Sequence, residues 1–157
     1  MSVFLYGEIE NKYSGAYFYF NEIKNLVGRD NSFSFSSNFG LNHYDFILFK
    51  IIRRLIKNFD PISLYFHNRR LKKYIDSFNN LETIIIIKGA RLFESTILHL
   101  KNKSNKIYLI SHDDFFSNYN INWSINQWSS LKLYDKIFTT RNSNLIELDF
   151  LPIQFFP

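Results

Sequence analysis

The sequence predicts an α/β domain with a Rossmann-like open, mainly parallel sheet flanked by helices, and three observations carry that expectation. Thr83 to Ile87 is an unbroken β-branched run, the pattern of a strand covered by helices on both faces rather than one alternating between core and water. Short strand-like runs recur at Ile107 to Ser111 and Lys136 to Thr139, with helix-length segments between them, the alternation of βαβ units. Each run stops at a polar or glycine-containing turn: Lys88-Gly89, His112-Asp113-Asp114 and Thr140-Arg141.

The bulk numbers fit one domain over residues 1–157. Apolar residues make up 46% and charged residues 21% of the chain, ordinary globular usage that excludes a disordered or fibrous class. There is no cysteine, which excludes disulfides, thiolate zinc sites and cysteine nucleophiles together. MSVFLYGEIENKYSG has no basic segment followed by an apolar stretch and a cleavage site, so no signal peptide is expected. The longest apolar runs are far below the roughly 18 residues of a membrane span. A cytoplasmic protein is expected, at most peripheral to the inner membrane face.

In chain order, Ser2 to Tyr6 is β-prone and meets Gly7, where the strand is expected to end. Ala16, Phe20, Ile23 and Val27 then recur at helical spacing. Ser32 to Ser36 alternates Ser and Phe, the period of a half-buried strand. From Tyr44 to Phe59, Leu48, Ile51, Ile52, Leu55, Ile56 and Phe59 mark an amphipathic helix. A second helix is expected from Pro61 to Phe78, with Pro suited to the first turn and Leu64, Leu71, Ile75 and Phe78 inward. Another is expected from Leu92 to Lys101. Ser124 and Gln127 have capping-box spacing, and Trp123 and Trp128 flank them as a hydrophobic staple. Asn144 and Glu147 repeat that spacing ahead of a short helix, and Phe150-Leu151 suggest a last strand before Pro152.

The net charge of +5 is concentrated between His43 and Asn80, where eight basic residues face three acidic ones. Arg53, Arg54, Arg69 and Arg70 form its centre, a surface able to attract an anionic partner or simply to meet solvent. No nucleic-acid recognition motif accompanies the charge, so a nucleic-acid role is not expected.

Ligands of open parallel sheets bind outside the carboxyl ends of the strands, where loop amides and helix amino termini are exposed. That rule singles out the three turns. Gly89 permits close approach to a ligand or a tight turn, and Lys88 offers a cation to a phosphate or a hydroxyl-rich acceptor. In His112-Asp113-Asp114, adjacent carboxylates can bind sugar hydroxyls or work as a base with its pKa raised by its neighbour, or can cap backbone amides. No ligand spacing accompanies them, and His43, His67, His99 and His112 form no HxH or HExxH pattern, so neither a metal nor a cofactor is expected. GxGxxG, GxxxxGK(S/T) and GxSxG are all absent.

The segment IIIIKGARLFESTILHLKNKSNKIYLISHDDFFSNYN, followed by SLKLYDKIFTTRNSNLIEL, resembles the amino-terminal domain of CgeB-like, spore-maturation-type glycosyltransferases. The landmarks are Lys88-Gly89, Asp113-Asp114, Tyr134-Asp135 and Thr139-Thr140-Arg141, over about 65 residues with a looser match back to Tyr44. The resemblance implies the amino-terminal half of a GT-B fold that transfers a sugar from a nucleotide-sugar to a glycan, lipid-linked or protein acceptor, as in cell-surface polysaccharide assembly. It implies acceptor binding by Lys88, Gly89, His112, Thr140 and Arg141 and a catalytic role for Asp113 and Asp114. The carboxyl-terminal donor-binding domain is not in the sequence, so activity is expected to need a nucleotide-sugar-binding domain or subunit in trans. The alternative is a non-catalytic module that binds a glycan, a polyprenyl-phosphate or a protein partner.

Overall fold

The computed structural model describes residues 2–9, 15–28, 31–36, 61–111, 129–147 and 151–155. Six strands form one all-parallel sheet: β1 (Val3–Ile9), β2 (Ser32–Ser36), β3 (Leu81–Ile87), β4 (Ser104–Ser111), β5 (Lys136–Thr139) and β6 (Ile153–Phe155). Their spatial order is β2-β1-β3-β4-β5-β6. The chain steps from β1 to β2 on one side, then returns past β1 to build the rest on the other. The switch in direction therefore falls between β1 and β3, where neighbouring loops part and leave a crevice at the carboxyl edge.

Alternation along the strands divides the core into two layers. Leu5, Ile87 and Ile110 face α1 (Gly15–Val27), whose Phe20 is buried and whose Ala16, Ile23 and Val27 pack beside it. Phe4, Tyr6, Ile84, Ile86, Ile107, Leu109 and Ile137 face the opposite way. There they meet Leu71 and Ile75 of α2 (Pro61–Ile75) and Ile97 and Leu100 of α3 (Glu94–Asn102). Both faces of β3 are thus lined by helix-facing side chains, as its unbroken β-branched run requires.

Several boundaries differ from those read in the sequence, each for a local reason. β1 does not stop at Gly7 but continues to Ile9; Gly7 is a packing site, because a Cβ there would run into the Phe20 ring. β4 begins three residues earlier than Ile107, where Leu81 pairs with Ser104. α2 ends at Ile75, yet Phe78 still packs on the core, its ring 5.5 Å from that of Phe4. The last strand follows Pro152 rather than preceding it: proline has no amide to give a ladder and so stands at the strand's start, its carbonyl accepting from Ile137 N at 2.8 Å. The last helix, α4 (Asn142–Glu147), begins two residues before the expected cap at Asn144; at its entrance Arg141 N donates to Thr139 Oγ1 at 3.1 Å. The expected Tyr44–Phe59 helix and the Trp123, Ser124, Gln127 and Trp128 cap lie outside the described residues. No helix among the described residues is long and apolar enough to cross a membrane.

The Gly7 contact gives the first test. Gly7→Ala is expected to lower stability by about 1–3 kcal/mol, the usual cost of overpacking a close contact, read as a lower urea midpoint. Phe20→Leu in the same chain should recover part of the loss by vacating the space the methyl needs.

Candidate functional site at the carboxyl edge

Strand register places one polar residue per strand in a single row across the carboxyl edge. Gly7 pairs with Ile87, Ile87 with Ile110, and Ser111 with Thr139. One step further along each pair, the backbone row reads Glu8, Lys88, Ser111 and Thr139. Glu8, Ser111 and Thr139 are fully buried. The row immediately beneath is Tyr6, Ile86, Leu109 and Ile137, again all buried. A polar layer therefore caps the apolar core at the edge where ligands of such sheets bind.

Glu8 organises the turn beside it. Its Oε1 accepts from Arg91 N at 2.6 Å, across 83 positions of sequence. Asn68 of α2, also buried, grips the same loop twice, its Nδ2 donating to Arg91 O at 2.9 Å and its Oδ1 accepting from Phe93 N at 2.9 Å. Phe93 is the N-cap of α3 and has no side-chain cap of its own, so Asn68 satisfies an end that the local sequence leaves open. Between β3 and this clamped loop, Lys88 (φ 75°) and Gly89 (φ 67°) both take left-handed backbone. Glycine adopts it readily, whereas a lysine pays about 1–2 kcal/mol for it. Any side chain at 89 would also crowd Ile86 Cγ2 at 2.9 Å and the Tyr134 hydroxyl at 3.2 Å.

Beneath the turn lies a chain of buried ionisable groups. The Tyr6 hydroxyl is 2.9 Å from His67 Nε2 and also hydrogen-bonds the Glu8 side chain. A carboxylate only accepts, so Tyr6 gives its single proton to Glu8 and offers its oxygen to the imidazole, which places the His67 proton on Nε2. Burial, then the charge of Glu8, pushes the Tyr6 phenol well above its ordinary range. Tyr134 is raised by the same two causes in the same order, and its hydroxyl has no hydrogen-bond partner among the described residues. His67 is lowered to about 4, first by burial and then by the Arg91 and Arg70 charges. The imidazole is neutral at neutral pH.

The sequence-derived candidates divide accordingly. Lys88 and Gly89 sit at the switch point, and Thr140 and Arg141 leave β5 at the same edge, Thr140 N donating to Ser111 O at 3.4 Å. One intervening strand, β4, separates the two turns, a spacing of about 10 Å. His112, Asp113 and Asp114 lie outside the described residues, as do Arg53 and Arg54; Arg69 and Arg70 are exposed on α2. Tyr134-Asp135 has structural work: Asp135 Oδ2 accepts from Ile107 N at 2.8 Å and Oδ1 from Lys101 Nζ at 3.2 Å, docking β4 and α3 to the turn before β5. Glu8, Tyr6, His67, Asn68 and Arg91 were not among the candidates. The available signal was an acidic residue inside an otherwise apolar, β-prone VFLYGEI, hidden by ending that strand at Gly7.

No family model, curated protein or solved structure matches this chain.

Two outcomes follow from this geometry. Asn68→Ala leaves the Phe93 amide and the Arg91 carbonyl without their side-chain partner and should cost about 2–3 kcal/mol, measured by denaturant unfolding. His67 contributes a pH dependence whose sign is fixed by its lowered value. As pH falls, the unfolded imidazole takes its proton near 6.5 and the folded one only near 4, so stability is complete above about 6.5, declines between 6.5 and 4, and loses no more below that. The loss is up to about 3 kcal/mol, and the urea midpoint of His67→Gln should be flatter over that window.

Proposed function

We propose that the carboxyl edge between β1 and β3 is a ligand crevice and that the chain is the acceptor-side half of a glycosyltransferase. The observation that carries the crevice is the Lys88-Gly89 turn: a lysine kept in left-handed backbone, beside a buried carboxylate that holds the following loop in place. Strain of this kind persists where surrounding structure over-determines it, and clusters at ligand sites. The sugar chemistry rests on the order of landmarks shared with CgeB-like enzymes, of which Lys88-Gly89 and Thr140-Arg141 stand at this edge. In this reading Lys88 and Arg141 bind acceptor hydroxyls or phosphate, Gly89 lets the acceptor approach the backbone, and Asp113 and Asp114 supply the base. Donor binding falls to a nucleotide-sugar-binding domain or subunit in trans, and the acceptor is a glycan or is lipid-linked at the inner membrane face.

One observation favours the second reading, a non-catalytic module for a glycan or polyprenyl-phosphate. The ionisable groups at the switch point, Glu8, Tyr6 and Tyr134, are buried, and Glu8 is engaged in holding the Arg91 loop.

Lys88→Gly separates these roles from a purely structural one. Relief of the left-handed lysine should raise stability by about 1 kcal/mol, seen as a higher melting temperature. If Lys88 contacts the acceptor, the same change weakens oligosaccharide binding by roughly tenfold in ligand-observed NMR, as should Arg141→Ala. Transfer from nucleotide-sugars in the presence of candidate partner subunits then distinguishes enzyme from module. Glycan binding indifferent to both substitutions, or absent altogether, removes the acceptor reading.

A further inference from the structure

Helix α2 turns one face to the sheet and another to solvent. His67, Asn68, Leu71 and Ile75 are buried, with His67 bonded to Tyr6 and Asn68 to the Arg91 loop, so the amino-terminal half of the helix stands at the carboxyl edge. On the outer face of that half lie two large rings, Tyr65 at 54% and Phe66 at 55% exposure. They pack edge to face on one another, their centroids 5.6 Å apart and their planes at 74°. Single rings on a surface are ordinary, whereas an apolar pair rimmed by polar groups marks an interaction surface.

The same face carries positive charge. Tyr65, Arg69 and Lys73 follow one another at intervals of four residues, and Phe66 precedes Arg69 by three, the spacings at which helix side chains are neighbours. Arg69 and Lys73 are exposed, so rings and cations share one convex stripe. A folded protein partner must answer such a stripe with a complementary surface of about 800 Å², and single-stranded nucleic acid is tracked by a groove. An anionic bilayer asks for neither. Its interface takes aromatic rings at headgroup depth, and its anionic headgroups draw lysine and arginine. The net charge of +5 attracts the protein toward such a surface from a distance.

We propose that the outer face of α2 docks the protein on an anionic lipid bilayer, with Tyr65 and Phe66 entering the headgroup region and Arg69 and Lys73 meeting lipid phosphates. Because the ring pair lies at the carboxyl edge, docking in this way holds the crevice beside the bilayer, where a lipid-linked acceptor is met. That consequence rests on the glycosyltransferase reading; the docking itself requires no sugar transfer and stands or falls separately.

Co-sedimentation with lipid vesicles is the test. The full chain should partition at least roughly tenfold more strongly onto phosphatidylcholine vesicles containing about one-third phosphatidylserine than onto phosphatidylcholine alone, and raising sodium chloride from about 0.05 to 0.5 M should remove most of that difference. Arg69→Glu/Lys73→Glu should weaken binding to the anionic vesicles by at least roughly tenfold, and Tyr65→Gln/Phe66→Gln by about the same factor through loss of the inserted rings. Lys106→Glu/Lys132→Glu makes the same change in net charge at exposed positions near the amino ends of β4 and β5 and should leave binding within about twofold of the parent. All of these variants keep the buried face of α2, so their far-ultraviolet circular dichroism should match the parent. Equal partitioning onto neutral and anionic vesicles, equal weakening by the two charge-reversing pairs, binding indifferent to loss of the rings, or binding to a single-stranded RNA oligomer with none to either vesicle would each overturn the proposal.

Discussion

A carboxylate buried at the carboxyl end of β1 sets the terms for the upper half of this molecule. Glu8 lies at the carboxyl end of β1, flanked by β2 and β3, with no exposed surface. An ionisable group in such a place is tolerated only with hydrogen bonds and compensating charge. The Arg91 amide and the Tyr6 hydroxyl provide the hydrogen bonds. The loop that follows β3 must therefore come back over β1, and the tight left-handed turn at Lys88-Gly89 is the geometry that brings it there. Asn68 then ties the same loop to α2. Strand, turn and two helices meet at one acid.

That arrangement explains why the switch point is well formed without being open to solvent at its base. The Glu8, Ser111 and Thr139 layer caps the apolar core at the crevice, and the Tyr6–His67 pair extends polar order down to the inner face of α2. His67 joins α2 to that layer, bonded to the phenol that bonds Glu8.

Much of the fold was legible in the sequence because helix burial leaves a strong mark on parallel strands. The run ending at Ile87, the apolar pairs of α1 and the inward residues of α2 all follow from periodicity alone. The candidate site was only half legible. Turns were found where strand runs stopped, which located Lys88, Gly89, Thr140 and Arg141 at the proper edge. Gly7 misled, because glycine reads as a terminator although here it makes room for Phe20, a contact made by a residue 13 positions later. Glu8 then fell in an expected loop, where an acid attracts no notice. His67 and Asn68 lie on a helix whose exposed face is strongly basic, and local pattern cannot show that two of its polar residues turn inward to partners 61 and 25 residues away.

The same long separations govern how the chain comes together during synthesis. β1 emerges first and can meet β2 after some thirty residues, but the acid at its end cannot be clamped until Arg91 follows, 83 positions later. At 5–20 residues per second this is an interval of roughly 4–17 s. A sheet whose first strand waits for distant neighbours has high contact order and closes slowly. Until β3 arrives, one whole edge of β1, with Phe4 and Tyr6 on it, is available to any other strand. The residues that finish the crevice are therefore also the ones that end the chain's most aggregation-prone interval.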